Sequence, residues 1–183
     1  ALSEMAENTR DDPDFRVPAV DWVRTTHNVL TMEWIDGIAL NDHARLEKSN
    51  VDLPVLGRKV IQSFLRHALR AGFFHADMHP GNLFLDDAGR LVAVDFGIMG
   101  RLGMKERRFL AEILYGFLNR NYQRVAEVHF EAGYVPRKHS VAQFAQALRA
   151  IGEPIMDRPA SEISMAQLLG QLRFGLFERD QQV

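Results

Sequence analysis

Eight residues in the middle of the chain, the run HADMHPGN from His75 to Asn82, hold two histidines, an aspartate and an asparagine between the apolar segments GFF and LFL. Two chemistries fit them. On a strand, alternate side chains share a face, so His75, Asp77 and His79 would point together and grip a metal such as zinc. In a loop, Asp77 and Asn82 stand five positions apart, a spacing that serves phosphoryl transfer, with a carboxylate to accept a proton and an amide oxygen to face magnesium. A further carboxylate, Asp95, opens the tripeptide Asp95-Phe96-Gly97 thirteen positions after Asn82. The zinc reading leaves Asn82, Asp95, Phe96 and Gly97 unused, whereas the phosphoryl-transfer reading uses the whole set.

The flanking pattern predicts what must hold these residues. Residues 57–71 carry apolar side chains at Val60, Ile61, Phe64, Leu65, Ala68 and Leu69 with charged and polar residues between them, a one-sided helix closed by Gly72. Residues 83–85 and 91–94 are apolar and β-prone, and DDAGR between them has the Asp and Gly chemistry of a hairpin turn. That hairpin folds Asp95 back beside Asn82. Upstream, residues 11–37 read as a hairpin whose best strand is Val29–Trp34, ended by Asp36-Gly37, and a short helix follows from Asn41 or Asp42. From Met104 on, helices are predicted near 104–118, 121–132, 139–151 and 162–178, with breaks at Gly133, Pro136, Pro154 and Pro159. A strand-containing front and a helical body give an α+β fold.

Composition excludes several classes. The 183 residues have a formal net charge of -2, so no basic field for nucleic acid is present. There is no cysteine, hence no disulfide framework and no thiolate zinc site, in keeping with the cytoplasm. No apolar run reaches the roughly 18 residues of a membrane span. The first residue is Ala1 and the opening reads like the tail of a polar helix, so a piece of a longer protein is expected.

Asp77, Asn82 and Asp95 follow the internal order of the kinase pattern H-R-D-x-x-x-x-N followed by D-F-G. The segment GFFHADMHPGNLFLDDAGRLVAVDFGIMGRL, with VLTMEWIDG upstream, resembles the UbiB family of atypical kinase-like proteins, linked to ubiquinone biosynthesis, whose loop usually reads HADPHPGN. The likeness runs from about residue 10 to about residue 170, and Met78 stands where the family has proline. It implies a kinase-like large lobe over 38–183, preceded over 1–37 by the last small-lobe strands and the hinge. It also implies ATP and Mg²⁺ as cofactors, Asp77 as catalytic base or water-orienting carboxylate, Asn82 and Asp95 as metal ligands, and the backbones of Glu33 and Ile35 as the adenine contacts.

Departures narrow the reading. Ala76 replaces the arginine that answers an activation-loop phosphate, and only six residues separate Gly97 from Met104, which points to a small or lipid-like acceptor such as a quinone precursor. All four lysines (Lys48, Lys59, Lys105, Lys138) follow the hinge, so the phosphate-binding strand lysine is not among them, and the chain alone is expected to turn over little ATP. The parent is expected at the inner face of the plasma membrane, peripherally, with other quinone-biosynthesis proteins. Alternatives are an aminoglycoside- or choline-type phosphotransferase, a non-catalytic scaffold binding nucleotide and lipid, and direct hydroxylation of a polyprenylphenol. Blander roles stand beside the sharp ones: His75 and His79 as loop braces, Phe96 and the other phenylalanines as core, and Lys105, Arg107 and Arg108 as a solvated helix face.

Overall fold

A computed structural model describes residues 1–156, which fall into two compact units, Ala1–Gly103 and a second beginning at Met104. In the first unit, α1 (Leu2–Asn8) buries Leu2 and Met5, and β1 (Phe15–Arg16), β2 (Ile38–Ala39) and α2 (His43–Lys48) follow. The one-sided helix is α3 (Leu53–Arg66), which begins four residues before the expected start because the Asp52 side chain caps it, accepting from Val55 N at 3.0 Å, with proline in the first turn. Its last turn widens into a π-helical segment, His67–Ala71, that ends at Gly72 in the left-handed conformation (φ 67°). The wide turn buries His67, whose ring meets Asp12 at 3.1 Å and Phe15 edge-on at 4.6 Å.

Four more strands complete the unit: β3 (Phe73–His75), β4 (Leu83–Leu85), β5 (Leu91–Ala93) and β6 (Met99–Arg101). One sheet has the order β1-β5-β4-β2, with β1 parallel to β5 and the other pairs antiparallel, while β3 and β6 form a separate antiparallel pair. The β4–β5 hairpin turns where DDAGR predicts it: Asp86 Oδ1 accepts from Ala88 N and Arg90 N, and Gly89 takes φ 73°. Met5, Phe15, Leu46, Leu56, Phe73, Leu83, Leu85, Leu91 and Ala93 make the core, and Met78, Phe96 and Met99 pack against it. Met78 therefore points inward, where a proline would leave the core shorter of one flexible apolar side chain.

The upstream hairpin is looser than its β-rich sequence predicts. Val29–Trp34 forms no ladder, only a single bridge between Val20 and Met32 with flanking bonds from Asp21 N to Thr31 O and from Glu33 N to Ala19 O. Strand propensity reflects packing against neighbours, and Val29, Leu30 and Trp34 are exposed here.

The second unit holds α4 (Met104–Leu118), α5 (Tyr122–Glu131) and α6 (Val141–Met156), α5 packing on both of the others. Phe117, Tyr122, Val125, Ala126, Phe144, Ala145 and Leu148 form its core. Pro154 does not stop α6 as the sequence suggests, since Gly152 lies under the Tyr122 ring and Glu153 pairs with Arg120 at 2.5 Å, holding the final turn from outside. The helix expected at 162–178 lies outside the described residues. No described helix is long and apolar enough to cross a membrane.

Candidate functional site

Two antiparallel pairings clamp the HADMHPGN loop at its stems. At one end β3 and β6 pair His75 with Met99, and Ala76 N donates to Ile98 O at 3.0 Å. At the other, β4 and β5 pair Leu83 with Ala93, and Val94 N donates to Asn82 O at 2.9 Å. Asn82 is thereby set opposite Val94, with Asp95 one residue further on. The β6 strand has no clear signal in the sequence, because MGR is short and two of its residues are only half-buried.

His75 is a brace. Its side chain is buried, Nε2 bonds to the Val94 carbonyl at 3.0 Å, and Nδ1 accepts from Asp77 N at 3.2 Å. A carbonyl only accepts and an amide N–H only donates, so the ring is the neutral Nε2–H tautomer with both nitrogens engaged. Zinc would need one of them. The strand alternation behind the zinc reading also stops at His75, where β3 ends. His79 stays exposed and closes the 3₁₀ turn Pro80–Asn82 by accepting from Gly81 N at 3.0 Å, which leaves Nε2 facing Asp77 Oδ2 at 3.8 Å. A Cβ on Gly81 would sit 2.8 Å from the His79 ring, so glycine is required for this closure.

Asp77 and Asn82 are joined directly. The Asn82 amide nitrogen donates to both the Asp77 carbonyl oxygen and Asp77 Oδ2, each at 3.1 Å. With Nδ2 so committed, Asn82 Oδ1 is turned away from Asp77, and Asp77 keeps Oδ1 for another partner. Asp95 takes φ 60°, a left-handed conformation uncommon outside glycine, and its Oδ1 accepts from Gly97 N at 3.2 Å. The Phe96 ring meets His75 edge-on at 5.5 Å. Among the described residues no group of three or more His, Asp or Glu side chains could hold a metal unaided. The amide oxygen of Asn82 and the exposed carboxylate of Asp95 are hard oxygen donors, which suit Mg²⁺ shared with phosphate oxygens.

The Glu33 and Ile35 segment lies in the same unit. Glu33 N is spent on Ala19 O at 2.8 Å, so the group it has left for a base edge is its carbonyl oxygen. Its carboxylate accepts twice from Arg16 Nη1 at 3.0 Å and once from Ala19 N at 3.1 Å, and these bonds, chiefly the Arg16 one, hold its pKa below the ordinary glutamate value. Arg16 Nε donates to Asp86 Oδ2 at 3.1 Å. Burial alone would raise the pKa of Asp86, but the hydrogen bonds from Arg90 and Arg16 outweigh it and lower it. Nothing in the sequence singled out Arg16 or Asp86, because 70 residues separate them.

Comparison with known proteins places this geometry. The ABC1 atypical kinase-like domain matches residues 1–129. The chain belongs to the UbiB family of ABC1 atypical kinase-like proteins. Within it, the probable protein kinase UbiB of Marinobacter nauticus is 39% identical over 174 residues, covering 93% of this chain and 32% of that protein. The probable protein kinase UbiB of Histophilus somni is 38% identical over 170 residues, covering 91% and 31%. The chain thus spans about a third of the length of these relatives. Among solved structures, the Rv3197–erythromycin complex of Mycobacterium tuberculosis superposes with a TM-score of 0.61 at 24% identity, over 92% of this chain and 48% of that one. The fold is accordingly kinase-like and α+β.

Proposed function

We propose that the chain carries the catalytic-loop face of an Mg²⁺- and ATP-dependent atypical kinase or ATPase, in a protein that supports ubiquinone biosynthesis. The observation that supports it most is the joining of Asp77 to Asn82 by two 3.1 Å bonds, with Asp95 next to the Asn82–Val94 pairing. Asn82 Oδ1 and the Asp95 carboxylate would hold magnesium. When bound, the ion neutralises charge on the triphosphate oxygens. Asp77, fixed through Oδ2, presents Oδ1 to the proton of an attacking hydroxyl or water. His75 and Val94 keep the loop stem from shifting during that transfer. The Glu33 carbonyl and the Ile35 N–H would receive adenine, which makes residues 1–37 the hinge side and 38–183 the large lobe. The short run from Gly97 to α4 favours a small or lipid-like acceptor, a quinone precursor by family, reached from a membrane surface.

The test is ATP turnover by the full-length protein. Asp77→Asn should cut it by about 10² to 10⁴ while leaving Mg·ATP affinity within a few-fold, and Asp95→Asn should weaken Mg-dependent binding itself. Unchanged turnover in both variants would remove the assignment.

A further inference from the structure

The segment that bears Glu33 has almost no ladder to hold it, yet its carboxylate accepts three hydrogen bonds, two of them from Arg16 in β1. Arg16 Nη1 reaches both Glu33 oxygens at 3.0 Å, and Arg16 Nε reaches Asp86 Oδ2 at 3.1 Å. Both ends of this link are rigid on the far side. Arg16 lies in β1, in parallel register with Val92 of β5. The Asp86 side chain is 7% exposed, its Oδ1 is filled by the Ala88 and Arg90 amides, and its Oδ2 also accepts from Arg90 Nε and Nη2. The chain that leaves β5, the strand supporting Arg16, reaches Asp95 two residues later, past Val94.

We infer that Arg16, anchored on Asp86, is a positioning residue that fixes the Glu33 carbonyl for an adenine base relative to the phosphate end of the site at Asp95. This rests on the nucleotide reading above. Arg16 need touch no substrate. It substitutes for the missing ladder: one planar guanidinium bridges two carboxylates, Nε to Asp86 and Nη1 to Glu33, and so fixes direction as well as distance, which a lysine ammonium does not. If Arg16 served stability alone, its loss would weaken every ligand equally.

The experiment separates the two ends of the nucleotide. Binding of adenosine, of Mg·tripolyphosphate and of Mg·ATP to the full-length protein is measured by calorimetry for wild type, Arg16→Gln and Arg16→Lys, with unfolding midpoints and the KM and kcat for ATP. Arg16→Gln should lower adenosine affinity about tenfold, the order expected for one charged hydrogen bond, raise KM for ATP to match, and leave tripolyphosphate affinity and kcat unchanged. Arg16→Lys should fall between. Unchanged adenosine affinity, or a proportional loss of both ligands, overturns the inference. Should Arg16→Gln not fold, Glu33→Gln keeps the backbone pair with Ala19 and removes the charge that Arg16 grips. It should show the same selective loss, and its absence overturns the inference equally. A wild-type protein that binds tripolyphosphate and ATP but not adenosine overturns it too, while one that binds none of the three overturns the nucleotide reading itself.

Discussion

Asn82 is where the site and the stability of the first unit meet, and replacing it by alanine tests that directly. The amide nitrogen of a residue only 9% exposed donates to one neutral carbonyl and to one carboxylate oxygen. A neutral bond contributes about 1 kcal/mol and a charged one about 1.5–3 kcal/mol. The Asp77 side chain is 41% exposed, so solvent screening puts the charged bond at or below the low end of that range, and Asn82→Ala should cost about 2 kcal/mol. For a unit of about 100 residues, each kcal/mol shifts the melting midpoint by roughly 4–8 °C, so a fall of about 10 °C is expected. Asn82→Asp is sharper, because it places a second carboxylate about 3 Å from Asp77 Oδ2, where two like charges cannot both persist without cost. At pH 8 without divalent metal it should melt below Asn82→Ala, and added Mg²⁺ should recover part of the loss. Thermal unfolding followed by circular dichroism, with and without Mg²⁺, reads all of this. An Asn82→Asp protein as stable as wild type at pH 8 without metal would refute the idea that Asn82 Nδ2 holds Asp77.

Other perturbations bear on the frame. Gly57→Ala, in the exposed middle of α3 with nothing within 4 Å of the added methyl, should stabilise by about 0.5–1 kcal/mol. Gly100→Ala, whose methyl would fall 2.3 Å from the Phe74 ring across the β3–β6 pair, should cost about 1–3 kcal/mol, and urea unfolding of the two variants gives the comparison. Burial lowers the pKa of His67 below 6.5 despite the bond its ring makes to the Asp12 carboxylate, with Arg66 adding to the shift, and burial also lowers that of His129. The unfolded chain then binds more protons than the folded one just below pH 6.5, so this part of the stability is complete above that pH and lost as pH falls through the lowered values. Urea midpoints should decline from pH 7 to pH 5, and His67→Gln should flatten the decline; a rise on acidification would contradict the burial argument. The chain has two tryptophans, and both are exposed in the 19–36 segment, Trp22 at 68% and Trp34 at 90%. Tryptophan emission of this chain in dilute solution should therefore barely move on unfolding while the helical signal disappears, and a strong red shift would show that these rings are covered.

The chemistry was legible because it is local. Asp77, Asn82 and the hairpin that returns Asp95 occupy one run of the chain, and hairpin turns, helix caps and one-sided helices are set by residues a few positions apart. Hence Gly72, Asp42 and DDAGR act as their types predict. The family likeness drew on the same run, with VLTMEWIDG upstream beside it. What needed the tertiary structure is what depends on who packs where. Val29–Trp34 has strand composition but no neighbouring strand to cover it, so propensity yields a single bridge. Pro154 sits in a helix because Arg120 and Tyr122, more than thirty residues earlier, hold its last turn. The sequence weighed against zinc without showing what His75 does instead; that needed the Val94 carbonyl, 19 residues downstream, which takes one nitrogen of His75. Arg16, Glu33 and Asp86 are ordinary charged residues in the sequence, and only the parallel pairing of β1 with β5 brings them within bonding distance, since closing a loop of some seventy residues leaves no trace in local composition.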